Sequence, residues 1–322
     1  MKKNKILITG AAGFIGFSLA RKLLENINNT IIAIDNYDDY YDIKLKKKRI
    51  DLLKKNKNFL FKKVDLNNFK NLKKVFLVHK FTSIYHFAAQ AGVRYSLLKP
   101  RKYLESNING FFNLLECCRG LKLKNFFFAS SSSIYGDQKK YPLDEKSPSI
   151  QKNIYSLSKM INEEFARIYS ELYGLKLVGL RFFTVYGPWG RPDMFYYKFM
   201  TNIKNKLPTS LYNNGNHYRD FTYINDVVEI LIKLSKVKFK KNYDVLNICS
   251  SRSESLIKFT KLIEKFYDKK AIIKNKKRLN LEVLKTHGDN KKILKLINKK
   301  KFIKIEQGLE ETVKWFKSYN KV

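Results

Sequence analysis

The segment Gly10-Ala11-Ala12-Gly13-Phe14-Ile15-Gly16 lies between an apolar run (5–9) and an amphipathic run (14–25), and it constrains the fold more than any other feature. An early glycine permits a tight turn from strand to helix, a second lets the backbone approach a pyrophosphate, and a third lets helix pack on strand. The helix N-terminus then offers unpaired N–H groups and the positive end of its dipole to phosphates. A glycine triplet alone is a weak signal. This one follows an expected strand, opens an expected helix and precedes an acid, Asp35, at the end of the next apolar run, 30–34. A carboxylate there can accept both hydrogens of an adenosine ribose diol and repels a 2′-phosphate, which favours NAD over NADP.

Further apolar runs at 59–64, 83–87 and 125–130 alternate with helical patterns at 66–79 and 103–119, and a helix over 156–173 precedes a strand over 175–181. Strands alternating with helices predict βαβ units and right-handed crossovers, hence an α/β, Rossmann-type doubly wound parallel sheet. After Tyr186-Gly187-Pro188 the pattern loosens into helices at 194–204, 225–236, 256–267 and 307–319 with short strands between them. The expected organisation is a dinucleotide-binding domain over 1–180 and a smaller, mixed α/β substrate-binding portion over 181–322. A strand at 243–248 can rejoin the main sheet, which gives the first domain a return at about 225–250.

Composition narrows the partners. There are 65 Lys plus Arg against 28 Asp plus Glu, a net charge of +37. The excess is spread along the chain, so nucleic acid is not the expected partner; the field would concentrate an anionic substrate. The basic runs 44–49 and 299–301 read as solvated surface. Cys117, Cys118 and Cys249 lack metal-ligand spacing, and His79, His86, His217 and His287 are scattered, so no metal is expected. The apolar stretch after the basic N-terminus is too short for a secretory signal, and no run spans a membrane, so a cytoplasmic protein is expected.

Tyr155 and Lys159 stand four residues apart in a helical pattern, which puts phenol and ammonium on one face. The positive charge favours the phenolate, and such a phenol can take a proton from a substrate hydroxyl. Beside a dinucleotide this points to hydride chemistry at a carbinol carbon. Alone, the pair is a weak signal, and an exposed helix face is the more ordinary account in a chain rich in both residues. Its weight comes from the preceding run Ser130-Ser131-Ser132-Ser133, from the small residues Ala88 and Ala89 ending the fourth strand, and from Asp65-Leu66 after the third. Asp65 suits an adenine edge or a helix N-cap.

Together these segments resemble the extended short-chain dehydrogenase/reductase family, and within it the nucleotide-sugar 4-epimerases acting on UDP-glucuronate. The resemblance covers nearly the whole chain. It rests on 10–16, Asp35-Asn36, Ala88-Ala89-Gln90-Ala91-Gly92-Val93-Arg94-Tyr95-Ser96, 130–136, 155–159, Arg219-Asp220-Phe221-Thr222-Tyr223-Ile224 and above all the run 180–194, from Leu180-Arg181-Phe182-Phe183-Thr184 to Arg191-Pro192-Asp193-Met194. It implies a tightly bound NAD contacted by Gly10, Gly13, Phe14, Ile15, Gly16, Asp35, Asn36, Asp65, Leu66, Ala88, Ala89, Tyr155 and Lys159. It also implies Ser131 on the sugar 4-hydroxyl, Tyr155 as base, Lys159 on the nicotinamide ribose, Arg219 on the diphosphate, and Tyr212 and Glu282 on the substrate. Two segments depart from the family pattern: Ile224-Asn225-Asp226 stands for Ile-Asp-Asp, and Asn280-Leu281-Glu282 stands for the uridine-side Pro-Gly-Asp.

Relatives that dehydrate or decarboxylate the same 4-keto sugar carry carboxylates where Ser132 and Ser133 stand here. Without them, acid–base elimination lacks its agent. The hydroxyls can instead hold a substrate carboxylate with Thr184, Arg94 and Arg191, although a serine-rich strand end also satisfies backbone groups. The expected reaction is NAD-dependent 4-epimerisation of UDP-glucuronate. The alternatives are a neutral UDP-hexose or UDP-N-acetylhexosamine 4-epimerase and, further off, a UDP-glucuronate decarboxylase. The helices at 103–119 and 156–173 resemble those that pair family subunits in a four-helix bundle, implying a homodimer; core packing accounts for the same apolar stripes.

Overall fold

The computed structural model describes residues 4–277, 283–299 and 301–321. The chain forms two units. One comprises Met1–Ile134, Gln151–Arg181 and Leu231–Leu246; the other comprises Tyr135–Ile150, Phe182–Ile230 and Asn247–Val322. The segment Tyr135–Ile150 therefore lies within the expected range 1–180 yet belongs to the second unit, where Tyr135 donates to Asn247 Oδ1 at 2.7 Å and Leu143 N to His287 O at 2.8 Å.

The first half of the chain runs β1 (Asn4–Thr9), α1 (Phe14–Leu23), β2 (Asn29–Asp35), α2 (Ile43–Lys54), β3 (Phe59–Lys63), α3 (Phe69–Val78), β4 (Ser83–His86), α4 (Tyr95–Leu98), α5 (Pro100–Tyr103), a π-helical turn (Leu104–Asn109), α6 (Gly110–Cys118), β5 (Asn125–Ser131), α7 (Ile154–Tyr173) and β6 (Leu177–Phe182). It continues with β7 (Thr184–Tyr186), α8 (Phe195–Lys204), β8 (Pro208–Tyr212), β9 (Tyr218–Tyr223), α9 (Ile224–Leu234), β10 (Tyr243–Ile248), β11 (Ser253–Ser255), α10 (Leu256–Tyr267), β12 (Ile272–Lys276), α11 (Lys291–Ile297) and α12 (Ile305–Asn320). Among the described residues no helix is long and apolar enough to cross a membrane.

Seven strands form the main sheet in the order β10-β6-β5-β4-β1-β2-β3. β1 pairs in parallel with β2 (Ile6↔Ile31) and with β4 (Ile6↔Ser83), and β4 pairs in parallel with β5. The central strands are apolar on both faces, as a parallel sheet covered by helices requires; Leu7, Ile32, Ile84, Phe126 and Phe128 are buried in one core with Phe111, Leu114 and Ala166. Parallel strands place their carboxyl ends on one edge, where α/β folds bind ligands. Thr9, Asp35, Lys63, His86 and Ser131 end their strands there. The second unit holds a three-stranded sheet, β11-β9-β7, and a two-stranded one, β12-β8.

Two expectations need correction. The basic run 44–49 lies in α2 with Lys44, Lys47 and Lys48 exposed as expected, but Lys46 and Arg49 are buried. Asp42 caps the helix by accepting from Lys44 N, and Leu45, Ile50 and Leu53 share the buried face with both cations. Long basic side chains can bury their stems when the head group finds an acceptor; Lys46 Nζ donates to Asp38 O and Arg49 to Ala12 O. Lys299, in the second basic run, is likewise buried rather than solvated, with Nζ 2.8 Å from Asp226 and 2.5 Å from Glu229.

Candidate active site

The turn after β1 is shaped by Gly10 at φ +68°, where a Cβ would sit 2.5 Å from Ala88 N. The loops after β1 and β4 thus approach more closely than any side chain allows. A Cβ at Gly16 would press against the Gly10 carbonyl oxygen, so helix and turn also require glycine there. Phe14 is buried and Ile15 half-buried in the first turn of α1. Gly13 is the N-cap and supplies no side-chain acceptor; the first-turn N–H groups are the natural partners of a phosphate.

Asp35 closes the turn from β2. Its Oδ2 accepts from Ala12 N at 3.0 Å and its Oδ1 from Tyr37 N at 2.9 Å. Each carboxylate oxygen retains a second lone pair for a ribose hydroxyl. Burial pushes the Asp35 carboxyl up, opposed by the charges of Lys46 and Arg49 and by those two backbone bonds. Asn36 Nδ2 donates to Asp65 Oδ2 at 3.0 Å. Asp65 also accepts from Asn67 N at 2.8 Å in the turn before α3, whose N-cap is Asn68 rather than Asp65, while Leu66 is buried. Ala88 and Ala89 are half-buried beyond β4. These residues fit a dinucleotide: a turn of glycine and alanine only, a helix without a side-chain cap and a buried acid at one sheet edge.

The helix carrying the Tyr–Lys pair has a reciprocal cap between Asn153 and Ser156 and ends at Gly174 in a left-handed conformation. Tyr155 is half-buried, its ring edge-on to Tyr103 at 6.1 Å. Lys159 is buried and donates from Nζ to Ala129 O at 2.8 Å. Burial lowers its ammonium to about 7, against the raising charge of Glu163. On β5, Ser131 Oγ accepts from Ser133 N at 3.2 Å and lies 2.9 Å from Ser133 Oγ. A hydroxyl that accepts from both groups keeps its own proton to donate. Ser132 is half-buried in the turn that follows. Arg94 is exposed at the start of α4.

The sequence pattern of the NAD dependent epimerase/dehydratase family matches residues 6–249. The chain belongs to that family. Its relatives include the CapI protein of Staphylococcus aureus, 40% identical over 98% of this chain and 99% of that one. A UDP-glucuronate 4-epimerase of Thermodesulfobacterium geofontis is 36% identical over 97% of this chain and 95% of that one. The structure of UDP-glucuronic acid 4-epimerase from Bacillus cereus, in complex with UDP-glucuronic acid and NAD, superposes with a TM-score of 0.92 at 31% identity over 98% and 99% of the two chains.

The remaining described candidates of this NAD dependent epimerase/dehydratase family member lie in the second unit. Thr184 begins β7 and pairs with Phe221. Arg191 is bound bidentately to Asp193, Nε to Oδ1 at 3.0 Å and Nη2 to Oδ2 at 2.5 Å, which fixes the plane of its guanidinium. Arg219 donates to Tyr218 O and Leu284 O at 2.9 and 3.1 Å. Tyr212 ends β8 under the Lys276 ammonium, 6.0 Å from its ring centroid. Glu282 lies outside the described residues. The sequence reading missed four participants near the first-unit site: Lys46 and Arg49 around Asp35, and Glu163 and Arg181 beside Lys159. Glu163 follows Lys159 by four residues, and Arg181 is the single charge in the apolar strand β6; those spacings were the available signals.

Proposed function

We propose that this chain is an NAD-dependent UDP-glucuronate 4-epimerase, interconverting UDP-glucuronate and UDP-galacturonate through a transient 4-keto sugar. The observation that carries this reading is similarity along nearly the whole chain to epimerases of that name, one of them holding UDP-glucuronic acid and NAD. NAD, when bound, supplies a reversible hydride acceptor for C4. Gly10, Gly13, Phe14, Ile15 and Gly16 take its pyrophosphate, Asp35 and Asn36 its adenosine ribose, and Asp65 and Leu66 its adenine edge; Ala88 and Ala89 admit it to the sheet edge. Tyr155 takes the 4-hydroxyl proton and returns it after the ketone has turned over. Ser131 bonds that oxygen, and Lys159 binds the nicotinamide ribose and favours the phenolate by its charge.

Ser132, Ser133, Thr184, Arg94 and Arg191 hold the sugar carboxylate, and Arg219 takes the diphosphate, since a guanidinium matches phosphate oxygens two at a time. Tyr212 and Glu282 complete the nucleotide end. No carboxylate stands at 132 or 133 to drive elimination, which supports epimerisation over dehydration or decarboxylation.

Incubation of purified protein with UDP-glucuronate and no added NAD tests the reading. A new species of unchanged mass, identified as UDP-galacturonate, is expected. A product lighter by carbon dioxide would make the enzyme a decarboxylase, and turnover of neutral UDP-sugars alone would move the substrate class.

Arg49→Met is expected to lower the NAD that copurifies by severalfold. Arg49 Nη1 donates to Ala12 O at 2.8 Å and to Tyr41 Oη at 3.0 Å, so its loss frees the carbonyl of the residue whose N–H Asp35 holds. Cofactor released on denaturation and measured by absorbance checks this; unchanged NAD content removes Arg49 from the cofactor site.

The chain further reads as a homodimer paired through α6 and α7 with the helical segment before them. Phe112 packs on Phe165 and Tyr169 between these helices, while Leu98, Leu104, Leu157, Ile168 and Leu172 remain exposed. Sedimentation equilibrium should give twice the chain mass; a monomer at micromolar concentration rejects the dimer.

A further inference from the structure

The last three residues of β5 have separate tasks, two of them against α7. The Ala129 carbonyl holds the Lys159 ammonium at 2.8 Å. The Ser130 hydroxyl donates to Glu163 Oε1 at 2.5 Å. Ser131 is the candidate partner of the sugar hydroxyl. Glu163 is further gripped from β6, where Arg181 Nε donates to Oε1 at 2.9 Å and Nη2 to Oε2 at 2.7 Å. Glu163 is 2% exposed and Arg181 4%. Such a buried ion pair is weak as a stabiliser, because desolvation consumes most of the Coulombic gain. Its place, one helical turn from Lys159, calls for a different role.

We propose that Glu163, fixed by Arg181 and Ser130, is a positioning residue that keeps the buried Lys159 ammonium charged while it serves Tyr155. The inference rests on the assignment of Tyr155 and Lys159 made above. Without a nearby anion, a lysine sealed from water sheds its proton near neutrality, and the phenolate loses its counter-charge. Burial already lowers Lys159 to about 7, and Glu163 is the charge that opposes the fall. The other groups around it do not supply this. Tyr155, on α7, is itself the group served. His86, on β4, is driven down to about 3 by burial and by Lys159, so its ring is neutral. Arg181, on β6, is a cation spent on Glu163. Asn107 and Ser158 are uncharged and bonded to each other at 2.9 Å.

The sign follows directly. Removing the Glu163 charge makes Lys159 release its proton at lower pH, so activity that needs the ammonium falls away earlier as pH rises. The test is the pH profile of kcat for UDP-glucuronate with purified Glu163→Gln and, in case that variant folds poorly, with Glu163→Gln/Arg181→Gln, which also removes the Arg181 cation left without its carboxylate. The alkaline limb should move down by about one unit or more in both, given two charges one helical turn apart. A rate lowered equally at every pH would show a structural role only and overturn the proposal, as would a profile matching the unmodified enzyme. Lys159→Met is run alongside. Its inactivity together with an unmoved Glu163→Gln profile defeats this proposal alone, whereas full activity of Lys159→Met defeats the assignment beneath it.

Discussion

Tyr155→Phe is expected to lower turnover of UDP-glucuronate by about 10²- to 10⁴-fold, the usual worth of a positioned general base, while NAD content and thermal stability stay at their original values. The substitution removes one hydroxyl and keeps the ring. That ring is half-buried against Tyr103, a contact that phenylalanine preserves. The cap of α7, its left-handed end at Gly174 and the Lys159–Ala129 hydrogen bond do not involve the phenol oxygen. Initial rates resolved by chromatography, with cofactor content measured on the same preparation, separate a chemical loss from a binding loss. Turnover within threefold of the original would remove Tyr155 as the base and redirect attention to Ser131.

The second large effect concerns a residue without a side chain. Gly16→Val should yield protein without bound NAD and destabilised by about 1–3 kcal/mol or more, the usual cost of overpacking a close-packed site. The first atom of any side chain at this position meets the Gly10 carbonyl oxygen and, at 3.0 Å, the Ala11 Cα. Both are backbone, so neither can rotate away, and the first turn of α1 must lift from the end of β1. That movement disperses the N–H groups meant for the pyrophosphate. Gly120→Ala is the control. Gly120 has φ +79° and open space around its Cβ position, so alanine there meets only left-handed backbone strain of about 1–2 kcal/mol. Thermal melts and cofactor absorbance on both variants decide the matter. Full NAD occupancy in Gly16→Val would mean that the close approach is not needed for the cofactor.

Much of the frame was legible in the chain because its signals are local. Alternating apolar runs and helical periods are set within a dozen residues, and from them came the parallel sheet and the return of the strand at Tyr243–Ile248. The glycine turn and Asp35 were readable because strand, turn and helix follow one another directly. Tyr155 and Lys159 were readable because one helical turn fixes their common face. Where the local signal was charge, it misled. In α2 an apolar face of Leu45, Ile50 and Leu53 is interleaved with basic residues, and the pattern looked like solvated surface.

The sequence by itself thus determined the fold class, the family and the residues whose neighbours along the chain define their chemistry. The tertiary structure alone decided which charges are buried and what they meet. Arg49 reaches Ala12 across 37 positions, Ser130 reaches Glu163 across 33, and Lys299 reaches Glu229 across 70. A buried charge persists only with a partner, and in each case that partner is delivered by packing from a distant segment, which no local pattern encodes.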